Sequence, residues 1–174
     1  MTIDYTMKYR VRATIAACLL LASLSLGGCK SQLDANAAPT RTTANVDGAF
    51  IAANSAATKE WPSYGLDYSE SRFSKLKQIT TENVGNLGLA WSYDLGSKRG
   101  VEATPLVVDG IMYVTSSWSV VHAIDVRTGK AVWTYDPQVP RRDGIKGCCD
   151  VVNRGVALYG GMVYVGAFDG RICQ

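Results

Sequence analysis

The sequence predicts an all-β chain assembled from repeated sheet units, and three observations carry that reading. The run Leu106-Val-Val-Asp109-Gly110-Ile111-Met-Tyr-Val114 returns as Ala157-Leu-Tyr-Gly160-Gly161-Met162-Val-Tyr-Val165, an offset of 51. A second pair, Ala90-Trp91-Ser-Tyr-Asp94 and Val132-Trp133-Thr-Tyr-Asp136, recurs at an offset of 42. The two offsets differ by an insertion of about nine residues between Trp133 and Val156, which holds the adjacent Cys148 and Cys149. Asp-Gly or Gly-Gly between β-rich runs favours a type I′ hairpin, because both central positions need a positive φ. Four-stranded units of roughly 40–50 residues have the period of β-propeller blades. A tryptophan repeated at one blade position would then pack between neighbours. The competing β-sandwich would need two Trp-x-Tyr-Asp strands to recur by chance, and in two independent registers.

Ahead of these repeats the chain changes character twice. Lys8, Arg10 and Arg12 precede residues 13–28, which carry no charge and end in small residues. Sixteen uncharged residues are short for a helix crossing about 30 Å of hydrocarbon, and the pattern matches a secretory signal peptide. Its end, Leu26-Gly27-Gly28-Cys29, resembles a bacterial lipobox, in which the cysteine is acylated and becomes the new N-terminus. Lys30, rather than an aspartate, follows it, so nothing suggests retention at the inner membrane. The expectation is a signal with lipobox over residues 1–29 and a protein held by lipid in the periplasm, at the outer membrane. Ordinary signal-peptidase cleavage and an uncleaved anchor are the alternatives. Residues 30–59 are rich in Ala, Thr, Asn and Ser. They read as a disordered linker with too few large apolar groups to offset ordering entropy. The globular part is expected from residue 60 to 174. Near its start Thr81 is placed to cap a short helix through Val84 and Leu87, stopped by Gly88.

Composition narrows the partners. With 47% hydrophobic and 19% charged residues and a net charge of +3, the chain is neither collagen-like, nor a disordered acidic tail, nor a strongly basic nucleic-acid binder. Removing residues 1–28 takes away Asp4, Lys8, Arg10 and Arg12, and with them two of the three net positive charges. The nearly neutral remainder gives no electrostatic reason for a nucleic-acid partner. No Gly-x-Gly-x-x-Gly or Walker pattern supports a nucleotide, and no Cys-x-x-Cys-His haem site occurs. His122, the single histidine, sits inside the strand pattern of residues 120–124 and reads as structural.

The segment Ala123-Ile-Asp125-Val-Arg-Thr128-Gly129-Lys130-Ala-Val-Trp133 makes mechanical sense on its own. Asp125 and Thr128 can bond the turn backbone, Gly129 suits a left-handed conformation, and Trp133 starts the next packing layer. It also resembles the Ala-x-Asp-x-x-Thr-Gly-x-x-x-Trp repeat of quinoprotein propellers. Three further stretches are similar to the pyrroloquinoline-quinone (PQQ)-dependent alcohol dehydrogenases of the methanol/ethanol family. Residues 61–74 (Trp-Pro-Ser-Tyr-Gly-Leu-Asp-Tyr-Ser-Glu-Ser-Arg-Phe-Ser) resemble its opening segment. Residues 100–105 (Gly-Val-Glu-Ala-Thr-Pro) resemble a cofactor-contacting strand. Residues 147–155 (Gly-Cys-Cys-Asp-Val-Val-Asn-Arg-Gly) resemble its vicinal-disulfide loop. The resemblance covers about residues 60–172.

It implies a quinoprotein-type β-propeller of eight blades, of which this chain carries the first. It also implies PQQ and calcium as cofactors, a small alcohol as substrate, and a cytochrome c or a quinone as electron acceptor. By the same resemblance Glu102, Cys148, Cys149 and Arg154 are cofactor-binding, and Cys148 and Cys149 form a disulfide. Neighbouring Cα atoms lie about 3.8 Å apart, against roughly 4.4–6.8 Å for relaxed disulfides. Such a ring would be strained and would close almost no chain. Its use would be as a flat, polarizable surface against a planar ligand. Two unpaired thiols, or cysteines bonded elsewhere, are the alternatives. A tricarboxylate needs cations, which the guanidinium of Arg154 supplies as a bidentate fork. Glu102 would pair with the polar edge of the quinone. Taken singly, both residues would pass for surface ion-pair groups.

The catalytic aspartate and the calcium ligands implied by the family match no residue here. Cys173-Gln174 departs from the pattern where another Asp-x-x-Thr-Gly turn should follow Ile172. The expectation is an N-terminal fragment that is inactive by itself. Two rival readings are a non-enzymatic propeller lipoprotein resembling outer-membrane assembly factors, and a generic binding propeller. Neither gives Cys148, Cys149, Glu102 and Arg154 a purpose.

Overall fold

The computed structural model describes residues 45–174, so the signal, the lipobox Cys29 and the first half of the expected linker lie outside the described residues. Helix α1 (Gly48–Ala57) comes first. Strands β1 (Leu106–Val108), β2 (Ile111–Thr115), β3 (Val121–Asp125) and β4 (Lys130–Tyr135) follow as an antiparallel sheet in sequence order. Strands β5 (Ala157–Tyr159), β6 (Met162–Gly166) and β7 (Ile172–Cys173) form a second antiparallel sheet, also in order. The described part is mainly β, with one four-stranded unit and the beginning of another.

Both hairpins turn as their sequences require. Asp109 and Gly110 take φ of 51° and 73°, and Gly160 and Gly161 take 58° and 78°. Val108 therefore pairs with Ile111, and Tyr159 with Met162. Between β3 and β4 the Asp125 carboxylate accepts the N–H groups of Arg127 (2.9 Å) and Thr128 (3.3 Å), while Gly129 N–H donates to the Asp125 carbonyl (2.9 Å). Gly129, at φ 66°, is needed twice over, because a Cβ there would lie 2.7 Å from the Trp91 ring. Trp91 also donates its indole N–H to the Val126 carbonyl at 2.8 Å. Residues 90–94 pair with no strand among the described residues, and Trp91 docks on this turn, whereas its repeat mate Trp133 sits within β4 and leans on Tyr113. The register slips between Ala123 and Ile124, leaving Val132 as the extra residue on β4.

One core serves both sheets. Leu106, Val108, Ile111, Tyr113 and Ala123 of the first sheet meet Leu158 of the second, and Val46 is buried among them. Phe50, Ile51, Trp61, Trp133, Val156 and Val163 close its margins.

Val46 corrects the expected boundary at residue 60. Its carbonyl accepts the N–H of Gly160 in the second hairpin turn (2.9 Å), so the chain from Val46 onward is part of the fold rather than a tether. Asp47 caps α1 by accepting the Phe50 N–H at 2.7 Å, and the buried Asn54 side chain exchanges two bonds with the Glu60 backbone. Average composition concealed a few apolar residues that a helix delivers to one place. The short helix of one or two turns expected from Thr81 is a single 3-10 turn at Val84–Asn86. Its N-cap position is Asn83 rather than Thr81, with no side-chain cap bond; Asn83 Oδ1 instead accepts the Thr80 N–H at 2.7 Å, while Thr81 bonds Glu82.

His122 is buried on β3, with Nε2 3.1 Å from the Ser116 hydroxyl and the Tyr93 ring edge-on to it. Burial holds its pKa below the usual value. The folded chain then binds fewer protons than the unfolded chain once the pH drops below about 6.5. Stability should be flat above that pH and decline below it, and His122→Gln should remove the decline between about pH 6.5 and 5.5. Urea midpoints at several pH values test this, and a wild-type midpoint unchanged over that range would refute it. Gly129→Ala should destabilise the chain by about 1–3 kcal/mol through overpacking and left-handed strain. In the same urea titration, followed by circular dichroism, the cost should shrink when Trp91 is first changed to Ala.

Candidate functional site

The insertion between β4 and β5 is the most elaborate loop of the described chain. It opens with a 3-10 segment, Arg141–Lys146, in which the buried Asp143 pairs with Lys146 at 2.7 Å. Trp118, in the β2–β3 connection, holds the loop from one side. Its ring lies under the guanidinium of Arg141 (4.3 Å), its backbone N–H donates to the Val151 carbonyl (2.9 Å), and Phe168 meets it edge-on. Arg99, 5.7 Å over the same ring, pairs with Asp150 at 2.5 Å.

Asn153 fixes the far end of the loop. Its Nδ2 donates to Ser119 Oγ (3.0 Å) and to the Gly166 carbonyl (2.9 Å), and its Oδ1 accepts the Gly155 N–H (3.0 Å). The loop is thereby bonded to the β2–β3 connection of the first sheet and to β6 of the second. Residues 100–104 run beside it, with the Thr104 N–H donating to the Arg154 carbonyl (3.3 Å) and Ser117 Oγ donating to the Gly100 carbonyl (3.1 Å).

The four residues singled out from the sequence come together here. Arg154 donates Nε–H and Nη2–H to the same oxygen, Glu102 Oε2, at 3.3 and 3.2 Å. Cys148 and Cys149 are exposed, with their sulfurs 2.6 Å apart. Neighbouring Cys148 raises the thiol pKa of Cys149; burial and the Glu102 charge add to the rise, and Arg154 opposes it. Glu102 and Arg154 therefore act on the sulfur pair although more than 45 residues separate Glu102 from it in sequence. By contrast, His122 is buried in the sheet and Cys173 on β7. Among the described residues no group of three or more His, Cys, Asp or Glu is placed to hold a metal ion.

Sequence reasoning assigned no role to Tyr64 and Arg72, which border the same site. The Arg72 guanidinium carbon stands 4.3 Å from the Tyr64 ring centroid. The Tyr64 phenol is held below its usual pKa by Arg72 first, then by Thr104 and Arg154. Nothing in the local pattern of residues 61–74 signals that proximity, because it depends on contacts with distant residues.

Chemically the arrangement suits a planar group bearing carboxylates. Arg154 is 71% exposed and gives two donors to one Glu102 oxygen, so its remaining donors are open to a ligand. Glu102 supplies an acceptor for a ring N–H or hydroxyl, and the two exposed sulfurs offer a polarizable face. An exposed ion pair of this kind contributes roughly 0–1 kcal/mol to folding, so a ligand can repartition it at small cost.

Comparison with known proteins bears on the fold and the family. The profile of the PQQ family "Glucose/ethanol/alcohol dehydrogenase, beta-propeller domain" matches residues 61–172. The chain is 61% identical over 154 residues to the quinohemoprotein alcohol dehydrogenase of Comamonas testosteroni, covering 88% of this chain and 22% of that protein. It is 63% identical over 117 residues to the 1-butanol dehydrogenase (cytochrome c) of Thauera butanivorans, covering 67% of this chain and 17% of that one. The crystal structure of the Comamonas testosteroni enzyme superposes with a TM-score of 0.69 at 70% identity, over 70% of this chain and 18% of the solved one. The chain thus spans about a fifth of the length of these relatives. Its paired hairpins and its inserted cysteine loop sit within the matched stretch, and the chain belongs to the PQQ-dependent alcohol dehydrogenase β-propeller family.

Proposed function

We propose that this chain supplies one wall of the cofactor site of a periplasmic quinoprotein alcohol dehydrogenase, an enzyme that oxidises primary alcohols to aldehydes with PQQ and calcium. The convergence of Glu102, Arg154 and the Cys148–Cys149 pair on one exposed face carries the reading. PQQ would supply a two-electron, two-proton acceptor for the alcohol. The chain's own residues bind and orient it. Arg154 takes a carboxylate, Glu102 accepts from the polar edge of the ring system, and the oxidised cysteine pair forms the plate on which it lies. The calcium ligands and the aspartate that removes the alcohol proton belong to parts of the family fold beyond residues 60–172. Electrons leave to a cytochrome c or to a quinone; the Thauera butanivorans relative carries cytochrome c in its name. A lipid on Cys29 would hold the protein at the outer membrane, facing the periplasm, where a disulfide persists.

Peptide mapping of the exported chain tests the central element. Residues 147–155 should be recovered with Cys148 and Cys149 joined to each other, two hydrogens lighter than the dithiol. Recovery of both as free thiols, or linked to distant cysteines, would overturn the reading. Purified residues 29–174 should give no PQQ-dependent dye reduction, and measurable turnover by this chain alone would contradict the assignment of base and calcium ligands elsewhere. Palmitate labelling of cells should mark the wild-type chain and not Cys29→Ser; equal labelling of both would remove the anchor.

A further inference from the structure

The loop that carries Tyr64 and Arg72 is held in a costly shape. Leu66, Glu70 and Arg72 take φ of 82°, 53° and 51°. These left-handed values disfavour side chains larger than glycine. The Asp67 carboxylate accepts the N–H (3.0 Å) and hydroxyl (2.7 Å) of Ser69, and the Arg72 N–H donates to the Gly65 carbonyl (3.0 Å), closing the loop. Closure lays the Arg72 guanidinium over the Tyr64 ring. Burial of the Leu66 side chain offsets part of this strain, and the exposed stack of Arg72 on Tyr64 adds little to it.

The Tyr64 phenol interacts with the Thr104 side chain and lies in the field of Arg154. The Thr104 backbone is bonded to that of Arg154, and Glu102 precedes Thr104 by two residues. The Arg72 guanidinium lies over the ring and also bonds the Tyr64 side chain, which leaves other donors of its fork for a ligand. Among the described residues no carboxylate forms an ion pair with Arg72, whereas Arg154 already shares Glu102. Glu70 acts on the Arg72 charge without forming an ion pair with it.

We propose that Arg72, stacked on Tyr64, is a second carboxylate-binding residue of this site, acting beside Arg154 toward a planar polycarboxylate. The inference rests on the reading that the site takes PQQ, and it adds a residue to that reading. Tyr64 is the positioning residue: its ring and its hydroxyl both meet the guanidinium.

Equilibrium dialysis of the full 174-residue chain against PQQ, and against its uncharged trimethyl ester, tests it through bound absorbance rather than turnover. Arg72→Gln should weaken PQQ binding about tenfold, as expected for a lost charge-assisted pair, and leave ester binding unchanged. Tyr64→Leu should show the same selective loss, and Tyr64→Phe, which keeps the ring but loses the hydroxyl contact with Arg72, should fall between Tyr64→Leu and the wild type. Wild-type chain that binds no PQQ would overturn the cofactor reading and this inference with it. Wild type that binds PQQ, with Arg72→Gln binding it equally, would overturn this inference alone. An equal loss for acid and ester would also overturn it, by showing that the side chain shapes the loop instead of meeting a charge. Should Arg72→Gln lose its far-UV spectrum, Arg72→Lys, which keeps the charge but not the planar fork, carries the same acid-against-ester comparison with the same outcomes.

Discussion

The side chain of Asn153 holds the functional face together. One carboxamide donates to Ser119 on the first sheet's connection and to Gly166 on the second sheet, and accepts from Gly155 next to Arg154. A carboxamide can do this because it carries donors and an acceptor on a single rigid plane. Arg154 follows Asn153 directly, and Cys149 lies four residues before it. The guanidinium and the sulfur pair therefore flank a residue bonded both to the connection of the first sheet and to β6 of the second. A loop tied to one sheet only would be free to swing with the other.

Around that clamp the chain separates what stabilises from what is left open. The core formed by Leu106, Val108, Ile111, Tyr113, Ala123, Leu158 and Val46 is apolar and joins both sheets. The charged groups near the cysteines are exposed, and their mutual pairing adds little to folding. Polar groups paired this loosely are costly to no one part of the fold when a ligand displaces them. The stacking of Arg141 and Arg99 on Trp118 is different in kind, since it holds the loop against the sheet and leaves the cysteine face uncovered.

Trp91 and Trp133 show how one repeated residue can serve two purposes in the same chain. Trp91 lies outside any sheet and docks on the Asp125–Gly129 turn, where the absence of a Cβ makes room for its ring. Trp133 lies in β4 and contributes to the shared core. The motif around Asp125 is thus both a turn and a receptor, and Gly129 answers to both demands: positive φ and close approach.

Sequence alone determined the features whose cause is local. Asp109-Gly110 and Gly160-Gly161 declare their hairpins because positive φ at two successive positions is a property of the residues themselves. Asp125, Thr128 and Gly129 likewise carry their turn with them, and the motif at residues 147–155 was distinctive enough to indicate a family. Tertiary structure decided the rest. Val46 and Asn54 belong to the fold because the hairpin turn at Gly160 and the backbone of Glu60 meet them, which no composition average can register. Tyr64 and Arg72 reach the site only because a strained loop is brought against Thr104 and Arg154, the last lying 90 positions beyond Tyr64. Contacts over such separations depend on how sheets pack, and packing is a property of the whole chain.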